Sequence, residues 1–296
     1  MLIVGVIILS LQDSLIKYMA SETSFWQLQF IRSIGNIILL FLIAKLTNGI
    51  DILFPIKWKP VYLRALTMTT CMFCFFAASP KLSFAQMAAG LYTFPLFVSF
   101  LALIFLNERV GVWRLFALIL GSFGALLILE PWSKNFTYLQ FLPIMAGFFF
   151  ACNIILIRKY CREESVMSLT LAVGVMFFIS ALLGILFFEL IFQNNFLKEI
   201  SPFVFIGWPS LTLIIFTFCF SCSILNIIGN ILLAKAYQTA ESSWLAPMDY
   251  SYLVFAAIWG KIFFGVWPTL LNLIGMFFIA FSGILIAVRE QRKNEA

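Results

Sequence analysis

The chain is a succession of apolar runs, each roughly 20 residues long, the length that spans a bilayer core at 1.5 Å per residue. Read as helices, the runs cover residues 2–20, 25–46, 60–79, 84–106, 112–131, 138–158, 166–192, 203–236, 243–264 and 267–288. The eighth is too long for one span. Pro209 divides it into an interfacial lead-in and a helix starting near Ser210. Hydrophobic residues make up 63% of the chain and charged ones 11%, against roughly 25% charged in soluble domains. No aqueous fold hides that much apolar surface. The expected fold class is all-α, a polytopic membrane protein with ten transmembrane helices.

Two stretches share one design. FPLFVSFLALIFLNERVGVWRLFALILGSFGALLILEP and APMDYSYLVFAAIWGKIFFGVWPTLLNLIGMFFIAFSGILIAVRE each place a Pro near the start of an apolar run. A turn follows, then a second run punctuated by Gly. Each stretch closes one half of the chain, which sets repeats at residues 1–133 and 134–296. Five helices per half forces the second repeat into the membrane upside down, with a site expected at the midplane between halves. Gly121, Gly124, Gly275 and Gly283 read as positions where helices approach closely.

With the N-terminus in the cytoplasm, thirteen of the 19 Lys and Arg residues fall on the cytoplasmic side and five outside, with Arg32 inside the second helix. The positive-inside rule therefore puts both termini in the cytoplasm. Met1 leads straight into an apolar run with no basic n-region. That run continues through Asp13 and Lys17, so it reads as a first helix rather than a cleaved signal. Trp26, Trp58, Trp113, Trp132, Trp208, Trp244 and Trp267 fall near helix ends, as an interfacial belt requires. The net charge of +6 is spread over helix ends and forms no aromatic-interleaved patch, so no nucleic-acid partner is expected.

The chain has no His. Its two CxxC pairs, Cys71/Cys74 and Cys219/Cys222, read as small packing residues within helices rather than as metal or redox sites. There is no phosphate-cradling loop, no HExxH and no Ser/His pair. No cofactor and no enzyme activity are expected.

Charge inside a membrane is costly, roughly 2.5–3.5 kcal/mol per residue on insertion scales, and marks function by default. Asp13 and Lys17, at i and i+4, share one face of the first helix. They either pair with each other or face a cavity, and Lys17 has the further option of snorkelling outward. Gln12 adds an amide beside Asp13. Arg32 lies two turns into the second helix, suited to a substrate carboxylate or to Asp13. The sixth helix mirrors the first. Asn153 aligns with Asp13, whereas a two-residue shift instead aligns the Lys159–Tyr160 pair with Lys17–Tyr18. In the ninth helix Asp249 follows Pro247, which loosens the backbone, with Trp244 and Tyr250 on the same wall. The fourth helix offers Tyr92, Thr93 and Pro95, with Gln86 an earlier turn away. The candidate substrate-binding set is Asp13, Lys17, Arg32, Tyr92, Asn153, Trp244, Asp249 and Tyr250. Glu108 and Arg109 read as a hydrated helix end.

These residues suit a secondary transporter. An intramembrane enzyme acting on lipid-linked substrates would need titratable groups clustered at one membrane face. A channel would need a continuous polar stripe.

The order and spacing of the motifs resemble the EamA family of the drug/metabolite transporter superfamily. PLFVSFLALIFLNERVGVWRLFALILGSFGALLIL is similar to the end of that family's first repeat, with Pro95, Glu108 and Gly124 at matching positions. APMDYSYLVFAAIWGKIFFGVWP is similar to an AP-x-x-Y…G-x-x-x-FGE-x-P form, SGILIAVRE to the ending, and DSLIKYMA and FIRS to the opening helices. Val266 departs from it, where the family has Glu. The resemblance covers essentially the whole chain. It implies a ten-helix carrier of small organic metabolites in the bacterial inner membrane, working by alternating access. Its branch is associated with S-adenosylmethionine, riboflavin and amino-acid-like solutes. Asp13 and Asp249 suit a cationic or zwitterionic solute, and Tyr92, Trp244 and Tyr250 an aromatic ring. The implied partners are a small-molecule substrate and the lipid bilayer, and a homodimer is left open.

Overall fold

The structure is a computed structural model that describes residues 1–47, 49–106, 112–133, 137–192, 198–199, 201–239 and 248–294. Among these residues the fold is wholly helical. The helices are α1 (Leu2–Tyr18), α2 (Phe25–Leu46), α3 (Trp58–Ala77), α4 (Phe84–Leu91), α5 (Phe94–Phe105) and α6 (Val112–Leu129). They continue with α7 (Leu142–Tyr160), α8 (Val166–Leu186), the short α9 (Pro202–Phe205), α10 (Leu213–Thr239), α11 (Ser251–Phe264) and α12 (Leu270–Asn294). Seven helical segments are long and apolar enough to cross a membrane: 2–21, 25–46, 58–77, 84–105, 138–160, 166–191 and 213–233. Three further apolar helices, 115–129, 251–264 and 270–285, are shorter.

Local chemistry sets the boundaries. Ser24 Oγ accepts from the Gln27 amide at 3.1 Å, and Ser165 Oγ from the Ser168 amide at 2.9 Å. Ser83 and Gln86 form a reciprocal capping box at the start of α4. Each such cap is worth about 1 kcal/mol. At the end of α11, Gly265 adopts φ 67°, and Val266 N–H donates back to the Gly260 carbonyl at 3.3 Å. Only Gly takes that left-handed turn without strain, which is why the helix stops there.

The fourth run is not one helix over 84–106 but two, broken at Tyr92 and Thr93. Pro95 has no N–H to offer the Leu91 carbonyl, so the regular ladder cannot continue. The break lies upstream of the Pro, which sits in the first turn of α5. Thr93 Oγ1 donates to the Gly90 carbonyl at 2.7 Å and steadies the gap. The ninth run breaks similarly, with α11 beginning only after a turn at Tyr250. The eighth helix starts at Leu213, not near Ser210. Glu108, Arg109, Trp244 and Pro247 lie outside the described residues.

Packing follows a regular scheme. Helix α1 packs on α10 and α11, while α7 packs on α3 and on α4–α5. Helix α2 packs on α8 and α10, and α3 also on α8. Helix α6 packs along α12, and α4 meets α11. Where α6 crosses α12, a Cβ on Gly124 would lie 2.8 Å from the Gly275 carbonyl oxygen. The backbones touch because neither residue has a side chain.

The bundle is inverted in polarity. Leu103, Ile104, Ile119, Phe123 and Phe277 face outward, whereas Gln12, Gln27, Gln29, Arg32, Asn36, Asn153 and Asn272 are buried. Such a surface suits lipid rather than water. Trp58, Trp113, Trp132, Trp208 and Trp267 are exposed. Trp26 instead stacks between Phe73 and Phe188, and its indole N–H is taken by the Val204 carbonyl.

Candidate functional site

Where the helix breaks meet, the bundle holds a cavity of about 230 Å³. Helix α1 supplies Gln12 and Asp13, α2 Arg32 and Asn36, α3 Arg64, α8 Phe177, and α10 Asn226 and Asn230. Tyr92, Phe94 and Asp249 enter from beside the breaks, with Phe150 from α7 and Tyr252 from α11.

Asp13 is held by a chain of amides. Gln12 Nε2 donates to Asp13 Oδ1 at 2.8 Å, and Asn226 Nδ2 donates to Gln12 Oε1 at 2.9 Å. Asn36 Nδ2 reaches Asn226 Oδ1 at 3.4 Å, and Asn230 Nδ2 donates to the Asn226 carbonyl at 2.8 Å. Tyr252 completes the set, its hydroxyl donating to Asp13 Oδ2 at 2.6 Å. Each carboxylate oxygen thus has a donor, the condition under which a buried carboxyl group is tolerable. The two halves of the chain share this network, since Asn226 and Tyr252 lie far along it.

The aromatic wall joins the two breaks. Tyr92 stacks on Tyr252 with centroids 5.2 Å apart, and its hydroxyl donates to the main-chain carbonyl of Asp249 at 3.1 Å. Phe94 meets Phe150 edge to face at 4.9 Å. Opposite them, the Arg32 guanidinium lies 5.5 Å from the Phe177 ring centroid, and its buried Nη1 has no hydrogen-bond partner.

Of the sequence-derived candidates, Asp13, Arg32, Tyr92 and Asp249 line this one cavity. Lys17 does not, nor does it pair with Asp13. Its ammonium donates to the carbonyls of Ser79 and Leu82 and sits over the Phe264 ring. With both Asp13 oxygens occupied, the carbonyls freed at the end of α3 are the better acceptors. Asn153 is buried on α7 but does not line the cavity. Tyr250 stands behind the wall, its ring 5.5 Å from Tyr92 and its hydroxyl packed against Gly283. Gln86 is used in the capping box. Trp244 lies outside the described residues. Sequence reasoning missed Asn36, Arg64, Asn226, Asn230 and Tyr252. The signal for the amides was there: Asn226 and Asn230 sit at i and i+4 in an apolar run, on one helix face.

Residues 1–130 match the EamA-like transporter family. The chain is similar to a riboflavin transporter of Vibrio cholerae, 26% identical over 71% of this chain and 64% of that protein. It is also similar to an S-adenosylmethionine uptake transporter of Rickettsia bellii, 25% identical over 68% of this chain and 62% of that one. In both cases the match spans less than two thirds of the relative's length. A solved crystal structure of a protein shares the fold at a TM-score of 0.55 and 14% identity, covering 98% of this chain and 95% of that one.

Proposed function

We propose that the chain is a secondary carrier of a small organic solute, built as two inverted five-helix repeats, residues 1–133 and 134–296, and working by alternating access. The seven long and three shorter apolar helices supply the ten spans this requires. The packing scheme supports the inversion. Exchanging each helix with its counterpart in the other half turns the α1–α10 contact into α7–α3, and α1–α11 into α7 with α4–α5. The same exchange turns α2–α10 into α8–α3 and leaves α2–α8, α6–α12 and α4–α11 as themselves.

One observation carries the reading: a charged cavity shared by both halves lies where two helix breaks meet in an apolar bundle. Discontinuous helices at the midplane are where such carriers hold their solutes. Asp13, Arg32, Tyr92 and Asp249 are the solute contacts, with Asn153 and Tyr250 as surrounding support. Along α1, α3, α8 and α10 the lining runs from mid-helix toward the end of the bundle that holds Leu2. With both termini in the cytoplasm of a bacterium, this conformation faces inward.

Two Asp and two Arg in one cavity suit a zwitterionic or cationic solute such as S-adenosylmethionine. The cavity falls just below the roughly 300 Å³ lower end of ligand pockets, which favours a small solute. The stacked Tyr92–Tyr252 wall favours a planar ring, and riboflavin is the second reading on that ground.

Proteoliposomes assayed with labelled S-adenosylmethionine, riboflavin and amino acids test the function. Asp13→Asn and Asp249→Asn are expected to lower transport strongly, and full activity in both removes the site.

A further inference from the structure

Arg64 is the second cavity-lining arginine. It lies near the start of α3, where its charge is easily counted as an ordinary helix-end residue. Its surroundings say otherwise. Nη1 donates to the Leu169 carbonyl on α8 at 2.8 Å, while Nε is buried with no partner. No carboxylate lies within 4 Å of Arg64 or Arg32 among the described residues. Lys57, close by at the bundle's end, does have such a partner, Glu163 at 3.5 Å. The arginine inside the cavity is left for something else.

Arg32 repeats the pattern deeper in. It is 4% exposed, faces the cavity and has an unpartnered guanidinium nitrogen. Both arginines lean on α8, Arg64 at Leu169 and Arg32 at Phe177. Those positions are separated by about 12 Å along the helix axis. Neutral amides of Asn36, Asn226 and Asn230 line the same space. Asp13 contributes charge, but both its oxygens are engaged by Gln12 and Tyr252. Among the cavity-lining side chains, the charged atoms left without a hydrogen-bond partner are the guanidinium nitrogens Arg32 Nη1 and Arg64 Nε, beside one neutral acceptor, Asn36 Oδ1.

We propose that Arg64 and Arg32 are two successive stations for a carboxylate-bearing solute, Arg64 near the open end of the cavity and Arg32 at its inner end. The proposal rests on the carrier reading and deepens it by assigning the solute's charged group. Guanidinium forks match oxyanions geometrically. One arginine at each station balances a single negative charge, which fits a carboxylate rather than a phosphate dianion.

The test uses the full chain in lipid nanodiscs, titrated calorimetrically with phenylacetate and with its neutral isostere phenylacetamide. The carboxylate should bind about tenfold tighter or more, the value of one charge-assisted contact. Arg32→Gln removes that preference. Arg64→Gln slows phenylacetate association in stopped-flow fluorescence and leaves phenylacetamide unchanged, while Arg64→Lys restores part of the rate. If Arg64 only ties α3 to α8, Arg64→Gln alters both probes alike, and that result overturns the proposal. Equal affinity of the wild-type protein for the two probes, or no saturable phenylacetate binding, overturns it too. Labelled-solute counterflow separates the two ideas. Counterflow without carboxylate preference removes the stations alone, whereas preference without counterflow removes the carrier.

Discussion

The chain carries two Lys–Tyr pairs, Lys17–Tyr18 at the end of α1 and Lys159–Tyr160 at the end of α7, and they behave differently. Lys17 is partly buried and reaches across from α1 to the Ser79 and Leu82 carbonyls between α3 and α4. Lys159 is exposed, donating to the Phe105 carbonyl at the end of α5, which already packs on α7. One lysine reaches the turn between two other helices, and the other bonds a helix already packed against its own. Like residues at like helix ends do not imply like roles, because each side chain's acceptors are set by the helices beside it.

Four variants probe this contrast. Lys17→Met removes a charged donor from two carbonyls, and amide exchange in the 79–83 turn should rise about 100-fold by mass spectrometry, as the loss of roughly 3 kcal/mol of local stability implies. Tyr252→Phe strips Asp13 Oδ2 of its donor. It should lower thermal stability by roughly 1–3 kcal/mol, read as an earlier melt in detergent, without altering exchange at 79–83. Glu164→Gln acts at the opposite end, where the carboxylate accepts from the Ile56 and Lys57 amides at 3.0 and 2.7 Å. Exchange at residues 52–57 should rise about tenfold there, the value of one charged acceptor. Lys159→Met should change stability and exchange by no more than about 0.5 kcal/mol, the usual range for an exposed residue. Equal effects from the two lysine variants would dissolve the comparison.

Much of the architecture was legible because its signals are local. Run length located most of the helices, but it read residues 84–106 as one helix where the structure has two. The break at Tyr92 and Thr93 was missed because Pro disrupts the bond to a carbonyl behind it and is content within the first turn of the next helix. The cavity lining was legible where charge stood alone in an apolar run, as at Asp13, Arg32 and Asp249, and at Tyr92 beside Pro95. Arg64 looked like a helix-end charge, since its burial depends on α8 lying alongside. Lys17 was misjudged for the same reason: its acceptors belong to a turn more than sixty residues away. The amides of Asn36, Asn226 and Asn230 carry no charge to attract notice, and their meaning appears only when α2 and α10 meet.

The dependence of Asp13 on Asn226 and Tyr252 also has a history in time. A ribosome adding 5–20 residues per second needs roughly 10–50 s between Asp13 and Tyr252. Throughout that interval the first helices stand in the bilayer with a carboxyl group and an arginine lacking the neighbours that later surround them. The nascent first half is therefore the vulnerable stage of biogenesis, the point at which quality-control proteases would find it.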